Sequence, residues 1–247
     1  MLYFDLETTG TDPDSDRIVE LAILDPASGT EDLLLRFDPG VPIPPGASAV
    51  HGIRDEDVRG EPRFEERAEA IQALFEERRL CGYNSRSFDT PFLDAALRRA
   101  GQPGLDLRNV EEIDLYRVWT AVEPAEGRGN RTLQAAVQHH LGRFHLDAHG
   151  AAADAAVLAD LLPVMRERYG LTLERMMELT APPEEVDRAG RLRLEEGEIV
   201  FAFGRHAGEP VAEHPDYVDW MLGADFPEET KRVLRRLREG AREWPPG

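Results

Sequence analysis

The chain of 247 residues contains no run of about 18 apolar residues, the length a helix needs to cross a bilayer, so no membrane partner is expected. It has one cysteine, Cys81, which excludes an internal disulfide. Flanked by Leu80 and Gly82, that thiol reads as buried and inert. A strand-like segment opens at Leu2 and leaves no room for a cleavable leader, so a cytoplasmic location is expected. Positive charge is scarce too: 29 Lys and Arg stand against 48 Asp and Glu, a net charge of -19. Proteins that grip phosphate backbones by ion pairing alone are usually basic, so simple polyanion binding is disfavoured. Two readings of the acidity remain. Carboxylates can meet phosphates through divalent cations, or the charge can serve solubility alone.

What is present is a pattern of short strands and helices. Residues 2–6, 17–24 and 32–37 read as three strands joined by turns rich in Asp, Pro and Gly, short enough to imply antiparallel neighbours. A helix over 64–77 and a strand over 79–83 follow, then helices over 91–100, 112–121, 133–141 and 150–168. A meander followed by alternating elements gives an α/β domain with a mixed sheet. The expected organisation is a catalytic domain at 1–170, a linker at 171–190 carrying Pro182 and Pro183, and a small α+β module at 191–247. In that module a strand is expected over 198–203 and a helix over 216–222. A last helix is capped by Asp225 with Glu228 in the capping-box position, and Val233, Leu234, Leu237 and Ala241 form its apolar face.

Four acids and a histidine carry the chemistry. Asp5 and Glu7, two apart in a strand, share the face opposite Phe4 and Leu6, so both carboxylates can reach one hard cation. The turn Thr8-Thr9-Gly10 follows at once and ends the strand. Asp89 follows Asn84 and Phe88; either it or Thr90 caps the helix that Pro91 opens, or Asp89 joins the acids. Asp154 falls within the apolar stripe of Ala151, Ala155, Leu158, Leu161 and Leu162, where an unpartnered carboxylate is costly. It lies too deep in its helix to be a cap, so a metal ion is the better partner. His149 stands five residues before Asp154 at the helix entrance, and its ordinary pKa near neutrality suits a general base. His139, His140 and His145 carry no such spacing and are read as incidental. Four gathered carboxylates would repel one another, and two divalent cations would cancel their charge. Such a pair activates a water and stabilises a leaving oxygen in phosphodiester hydrolysis.

Asp5-Leu-Glu-Thr-Thr-Gly10, the stretch from Asn84 to Leu93, and His149-Gly-Ala-Ala-Ala-Asp-Ala155 resemble the three motifs of the DEDDh (DnaQ-like) exonucleases, over roughly the first two-thirds of the chain. Asn84 and Asp89 stand one residue further apart than in many members, a spacing shared by those whose motif begins Gly-Tyr-Asn. The resemblance implies a ribonuclease H-like, mixed five-stranded sheet flanked by helices, and cleavage from the 3′ end releasing nucleoside 5′-monophosphates. It gives Asp5, Glu7, Asp89 and Asp154 to metal binding, His149 to general base catalysis, and two Mg2+, replaceable by Mn2+, as cofactors. Val50-His-Gly-Ile53 is similar to the segment beside the terminal nucleotide, which makes Thr8, Thr9, Val50, His51 and Phe88 candidate substrate contacts. The other reading of His51-Gly52 is a plain turn before a capped helix.

Phe203-Gly-Arg-His-Ala-Gly-Glu-Pro210 and Asp216-Tyr-Val-Asp-Trp-Met-Leu222 resemble a module appended to exonuclease X-type members. There Tyr217 and Trp220 either stack on bases beside the arginines of the last helix or belong to a core. The leading expectation is a DNA exonuclease in repair, acting on a free 3′ end with single-stranded DNA favoured. An exoribonuclease and a proofreading subunit docked on a DNA polymerase are the alternatives.

Overall fold

Alternation along Leu2–Thr8 places Leu2, Phe4 and Leu6 on one face and Tyr3, Asp5 and Glu7 on the other, and makes this segment β1, the central strand of a five-stranded sheet. The structure, a computed structural model, describes residues 1–27, 32–107, 109–123, 131–145, 150–182 and 184–239. It contains two compact units, Met1–Thr180 and Ala181–Gly247.

In the first unit β1 pairs antiparallel with β2 (Ile18–Leu24), which pairs antiparallel with β3 (Leu33–Arg36). On its other side β1 runs parallel to β4 (Leu80–Gly82), and β4 parallel to β5 (Glu112–Asp114), giving the order β3-β2-β1-β4-β5. The helices are α1 (Pro45–His51), α2 (Ala68–Phe75), α3 (Asp89–Arg99), α4 (Leu115–Val122), α5 (Leu133–Leu141), α6 (Ala151–Tyr169) and α7 (Leu173–Thr180). One core joins Leu2, Phe4 and Leu6 to Ile71, Phe75, Phe92 and Leu97. On the opposite face a second core joins Tyr3, Cys81 and Ile113 to Val118, Leu158, Leu161 and Met176. Cys81 is fully buried, and burial holds its thiol well above the usual range.

Several expectations change. Residues 112–121 are not one helix: Glu112–Asp114 form the edge strand, and the helix begins at Leu115. Three residues with acids on either side of Ile113 are too short for an alternating pattern to stand out. Both acids are internally satisfied. Glu112 accepts from Ser85 Oγ at 2.9 Å and from Thr90 Oγ1. Asp114 accepts from the Asn84 and Arg86 amides at 2.8 and 3.2 Å while capping α4 through Tyr116 N–H at 3.0 Å. The helix expected over 64–77 is a 3-10 turn at Phe64–Glu66 followed by α2. Leu173–Thr180, expected within the linker, is a helix whose Met176 lies in the second core. Its Thr180 Oγ1 accepts from Asp114 N–H at 2.9 Å. Among the described residues no helix is long and apolar enough to cross a membrane.

The second unit holds the hairpin β6 (Leu192–Glu195) and β7 (Glu198–Phe201), then α8 (Pro215–Gly223) and α9 (Glu228–Arg238). Glu196 and Gly197 both take positive φ, 50° and 88°, as a two-residue hairpin turn requires. Phe201, Tyr217, Met221, Val233 and Leu234 form its core. Asp225 does not cap α9: the helix starts later, at Glu228, with Pro227 in the cap position and no side chain capping it. Glu228 instead pairs with Arg235 at 3.1 Å. Tyr217 is core, but Trp220 is 53% exposed and stacks on the Tyr217 ring at 5.0 Å. Ala241, expected on the apolar face of α9, lies outside the described residues.

Because Asp114 holds the turn that leads into α3, Asp114→Ala is expected to lower unfolding stability by about 2–4 kcal/mol. Urea denaturation should show a lower midpoint at unchanged slope, with a smaller loss for Asp114→Asn. An unchanged midpoint would mean that the turn is held by other contacts.

Candidate metal centre

β1 presents Asp5 and Glu7 on the face that α6 covers. The helix comes close because the residues between it and the sheet are small: Ala151 and Ala155 of α6 pack on Ala22, the β2 partner of Asp5. Glu20, the β2 partner of Glu7, is 3% exposed and accepts the first amide of α6, Ala151 N–H, at 3.2 Å. Its other oxygen takes Arg36 Nε at 2.7 Å. Asp154 then falls in the first turn of α6, where Asp5, Glu7 and Asp154 each offer an oxygen within 4.8 Å of the others.

Asp89 arrives from the other side. The β1–β4 pairing covers only Leu2 and Tyr3, and beyond it Leu6 N–H donates to Asp89 Oδ1 at 3.1 Å. Asp89 is thus the first residue of α3 rather than its cap, and no side chain caps that helix at Phe88. Thr90 is not the cap either; its hydroxyl turns to Glu112.

The electrostatics follow from crowding. Burial, then repulsion from Asp89, Asp154, Glu7 and Glu20, raises the Asp5 pKa well above the carboxylate range. Burial, followed by repulsion from Asp154, Glu20 and Asp89, pushes Glu7 up to about 8. Burial also lifts Asp89 to about 8, against two backbone hydrogen bonds that pull it down. Among the described residues, the charged neighbours that raise Asp5 and Glu7 are all carboxylates. An all-oxygen donor set that cannot stay ionised alone fits a hard divalent cation such as Mg2+ or Mn2+.

The turn after β1 is built from its own residues. Thr8 Oγ1 donates to Gly10 O at 2.6 Å, and Thr9 Oγ1 donates to Asp16 Oδ1 at 3.2 Å while accepting Arg17 N–H at 3.0 Å. A β-carbon on Gly10 would stand 2.3 Å from the Asp16 carboxylate, so a larger residue would have to push that carboxylate off Thr9 Oγ1 and the Asp12 amide. Both threonine hydroxyls are engaged there. His51-Gly52 is not a turn ahead of a capped helix; it ends α1, with Gly52 as a left-handed cap at φ 76°. His51 is buried, accepts Ile53 N–H on Nδ1 at 3.0 Å, and is held below the ordinary histidine range by burial. Val50 is exposed, and Phe88 is half-buried with its ring 5.3 Å from Phe92.

His149 lies outside the described residues. His145, read as incidental from its position, instead meets the acids: its Nε2 makes a short hydrogen bond with Asp154 Oδ1. Spacing gave no warning of this contact. Glu20 was also passed over, although a lone acid inside Ile18–Leu24 is the signal that could have found it.

An exonuclease family model of RNase T type matches residues 2–162. Over 167 residues the chain is 32% identical to the DNA polymerase III subunit epsilon of Treponema pallidum (strain Nichols), covering 66% of this chain and 74% of that relative. It is 26% identical over 177 residues to the PolC-type DNA polymerase III of Streptococcus suis (strain 98HAH33), covering 69% of this chain and 12% of that much longer relative. Among solved structures, exonuclease I matches with a TM-score of 0.59 and 22% identity over 74% of this chain and 43% of that one. Exonuclease X in complex with 5′ overhanging duplex DNA matches with a TM-score of 0.53 and 23% identity over 72% of this chain and 98% of that one. At such identities the likeness is one of fold, the ribonuclease H-like sheet with its flanking helices.

The raised pKa values fix the sign of a pH effect. Between the ordinary carboxylate range and about 8, folded Glu7 and Asp89 retain protons that the unfolded chain has released. Their contribution to stability therefore falls as pH rises through that window, and a bound cation, which favours the ionised forms, opposes the fall. In chelator, the melting temperature of the wild type relative to Glu7→Gln should drop between pH 5 and pH 8, and Mn2+ should shrink the drop. A difference that stays flat with pH would contradict the crowding described here.

Proposed function

The chain belongs to the DnaQ-like 3′–5′ exonuclease family, and on that premise we propose that Asp5, Glu7, Asp89 and Asp154 hold two Mg2+ ions that act on the 3′-terminal phosphodiester of DNA. The family is metal-dependent. The observation that carries the reading is the convergence of three carboxylate oxygens from β1 and α6 within 4.8 Å, with Asp89 tied to the same strand through Leu6.

Bound there, the ions would supply an activated water and neutralise charge on the leaving oxygen. The protein's own part is positioning. β1 fixes Asp5 and Glu7 in one orientation, and the hydrogen bond from the Ala151 amide to the Glu20 carboxylate holds the start of α6 so that Asp154 meets them. His149 accepts the proton of the attacking water as general base. Thr8, Thr9, Val50, His51 and Phe88 border the terminal nucleotide, Thr8 and Thr9 by shape and backbone since their hydroxyls are engaged within the turn. DNA is favoured as substrate because the Treponema and Streptococcus relatives are DNA polymerase III proteins and the exonuclease X structure contains DNA. Single-stranded 3′ ends, a role in repair and a cytoplasmic location complete the reading, with the activity in the first unit and an accessory role for the second. Likeness to polymerase III epsilon favours one further reading, a proofreading subunit bound to a polymerase.

The test is direct. Single-stranded DNA, duplex DNA and RNA, each labelled at the 3′ end, are incubated with the full chain in Mg2+ or in chelator. Label should leave as mononucleotide, from DNA ahead of RNA, and only with metal. Asp5→Ala, Asp154→Ala and His149→Ala should each slow turnover by about 100-fold or more. His145→Ala should cost much less. Near-normal turnover by Asp154→Ala or His149→Ala would remove the role assigned to that residue. RNA trimmed ahead of DNA would make the enzyme an exoribonuclease.

A further inference from the structure

The second unit carries a cluster of side chains for which the exonuclease reading has no use. His206 closes a 3-10 turn at Gly204–His206, Glu209 follows three residues later, and His214 is the residue just before α8. One carboxylate oxygen, Glu209 Oε2, lies 2.7 Å from His206 Nδ1 and 2.5 Å from His214 Nε2. The two imidazole centroids are 3.9 Å apart.

From these positions we infer that His206, Glu209 and His214 form a second metal site, selective for a zinc-class divalent ion over magnesium. The donor set is two imidazole nitrogens and one carboxylate oxygen, all within 4.8 Å of one another. That set is chosen by Zn2+, Co2+ and Ni2+, whereas Mg2+ takes oxygen and water. Bonds to such an ion are about 2.0–2.2 Å long, which puts tetrahedral ligand atoms roughly 3.4 Å apart. The two nitrogens need only move back from the shared oxygen by less than about 1 Å to admit it.

The scaffold suits a fixed site. Isolated bridges join Phe201 to Ala207 and Val200 to Pro210, on either side of Glu209. Phe201, fully buried, lies against both imidazoles at 6.2 Å, and the Tyr217 ring meets that of His206 at 4.9 Å. Gly204 takes a left-handed φ of 72° that favours glycine, and a β-carbon there would stand 2.7 Å from the Tyr217 hydroxyl. The dipole of α8 opposes a cation beside His214, and Asp216 in the first turn offsets it. Without metal the cluster is an uneasy one. Two imidazoles in ring contact share a single carboxylate oxygen, and if both were protonated their charges would face each other across that contact. A divalent ion held by two neutral imidazoles and the Glu209 carboxylate takes the place of the shared hydrogen bonds and leaves a fourth position open to water. The ion would clip the 204–209 turn to the start of α8.

Binding of Co2+ to the full chain, free of any histidine tag and stripped with chelator, tests this in excess Mg2+, which saturates the oxygen ligands of the first unit. One equivalent should bind with a visible absorption spectrum of low-symmetry nitrogen and oxygen coordination, and Zn2+ should abolish that spectrum. His206→Asn and His214→Asn should each weaken binding by about 100-fold. Glu209→Gln, which keeps the side-chain size, carries the test should either histidine variant unfold; it too should weaken binding, by about tenfold or more. Asp154→Asn should leave the spectrum unchanged. The proposal is overturned if no Mg2+-resistant equivalent binds, if Glu209→Gln and the folded histidine variants bind as the wild type does, or if Asp154→Asn removes the signal. The last outcome would place the ion in the acidic cluster of the first unit.

Discussion

Repulsion between buried carboxylates is the constraint around which the first unit is arranged. Asp5, Glu7, Asp89 and Asp154 come from β1, the start of α3 and the first turn of α6, and Glu20 adds a fifth acid from β2. Arg36 pairs with Glu20 and His145 with Asp154, but burial and repulsion among the acids still raise Asp5, Glu7 and Asp89, an electrostatic cost which protonation relieves at low pH and divalent cations relieve near neutrality. The surrounding architecture is what makes that cost sustainable. Two apolar cores, one on each face of the sheet, hold β1 between them, so the strand cannot move to separate its acids. Small residues at Ala22, Ala151 and Ala155 keep α6 against the sheet.

The same constraint explains why the acidic pattern could be read from sequence. Asp5 and Glu7 stand out because period-two alternation fixes their shared face, and Asp154 because it interrupts an apolar helical stripe. Neither inference needs long-range information. Asp89 was ambiguous because a helix start offers a carboxylate two roles, and only the tertiary bond from Leu6 N–H separates them. β5 was hidden for a related reason: its two acids owe their burial to Ser85, Thr90, Asn84 and Thr180, partners far away in the chain. Likewise α7 follows Gly170 with only a short amphipathic pattern of its own, and its place in the unit rests on Met176 reaching the second core. Where neighbours in space decided the outcome, local pattern was silent.

Histidines show the limit of spacing most plainly. Five residues separate His149 from Asp154, and nine separate His145 from it, yet among the described residues it is His145 that touches the carboxylate. In the second unit two histidines eight residues apart meet on one oxygen, a convergence that two 3-10 turns, Gly204–His206 and Val211–Glu213, help to produce and no periodicity announces. The two units thus present different donor chemistry, oxygen in one and mixed nitrogen and oxygen in the other. Different ions would occupy them under the same conditions.

Anomalous diffraction from crystals soaked in Mn2+ locates the ions at the clustered acids independently of turnover. The account predicts strong peaks lying between the carboxylates of Asp5, Glu7 and Asp154, with Asp89 contributing to the same centre. Mn2+ peaks found only elsewhere, with these four carboxylates metal-free and apart, would contradict it.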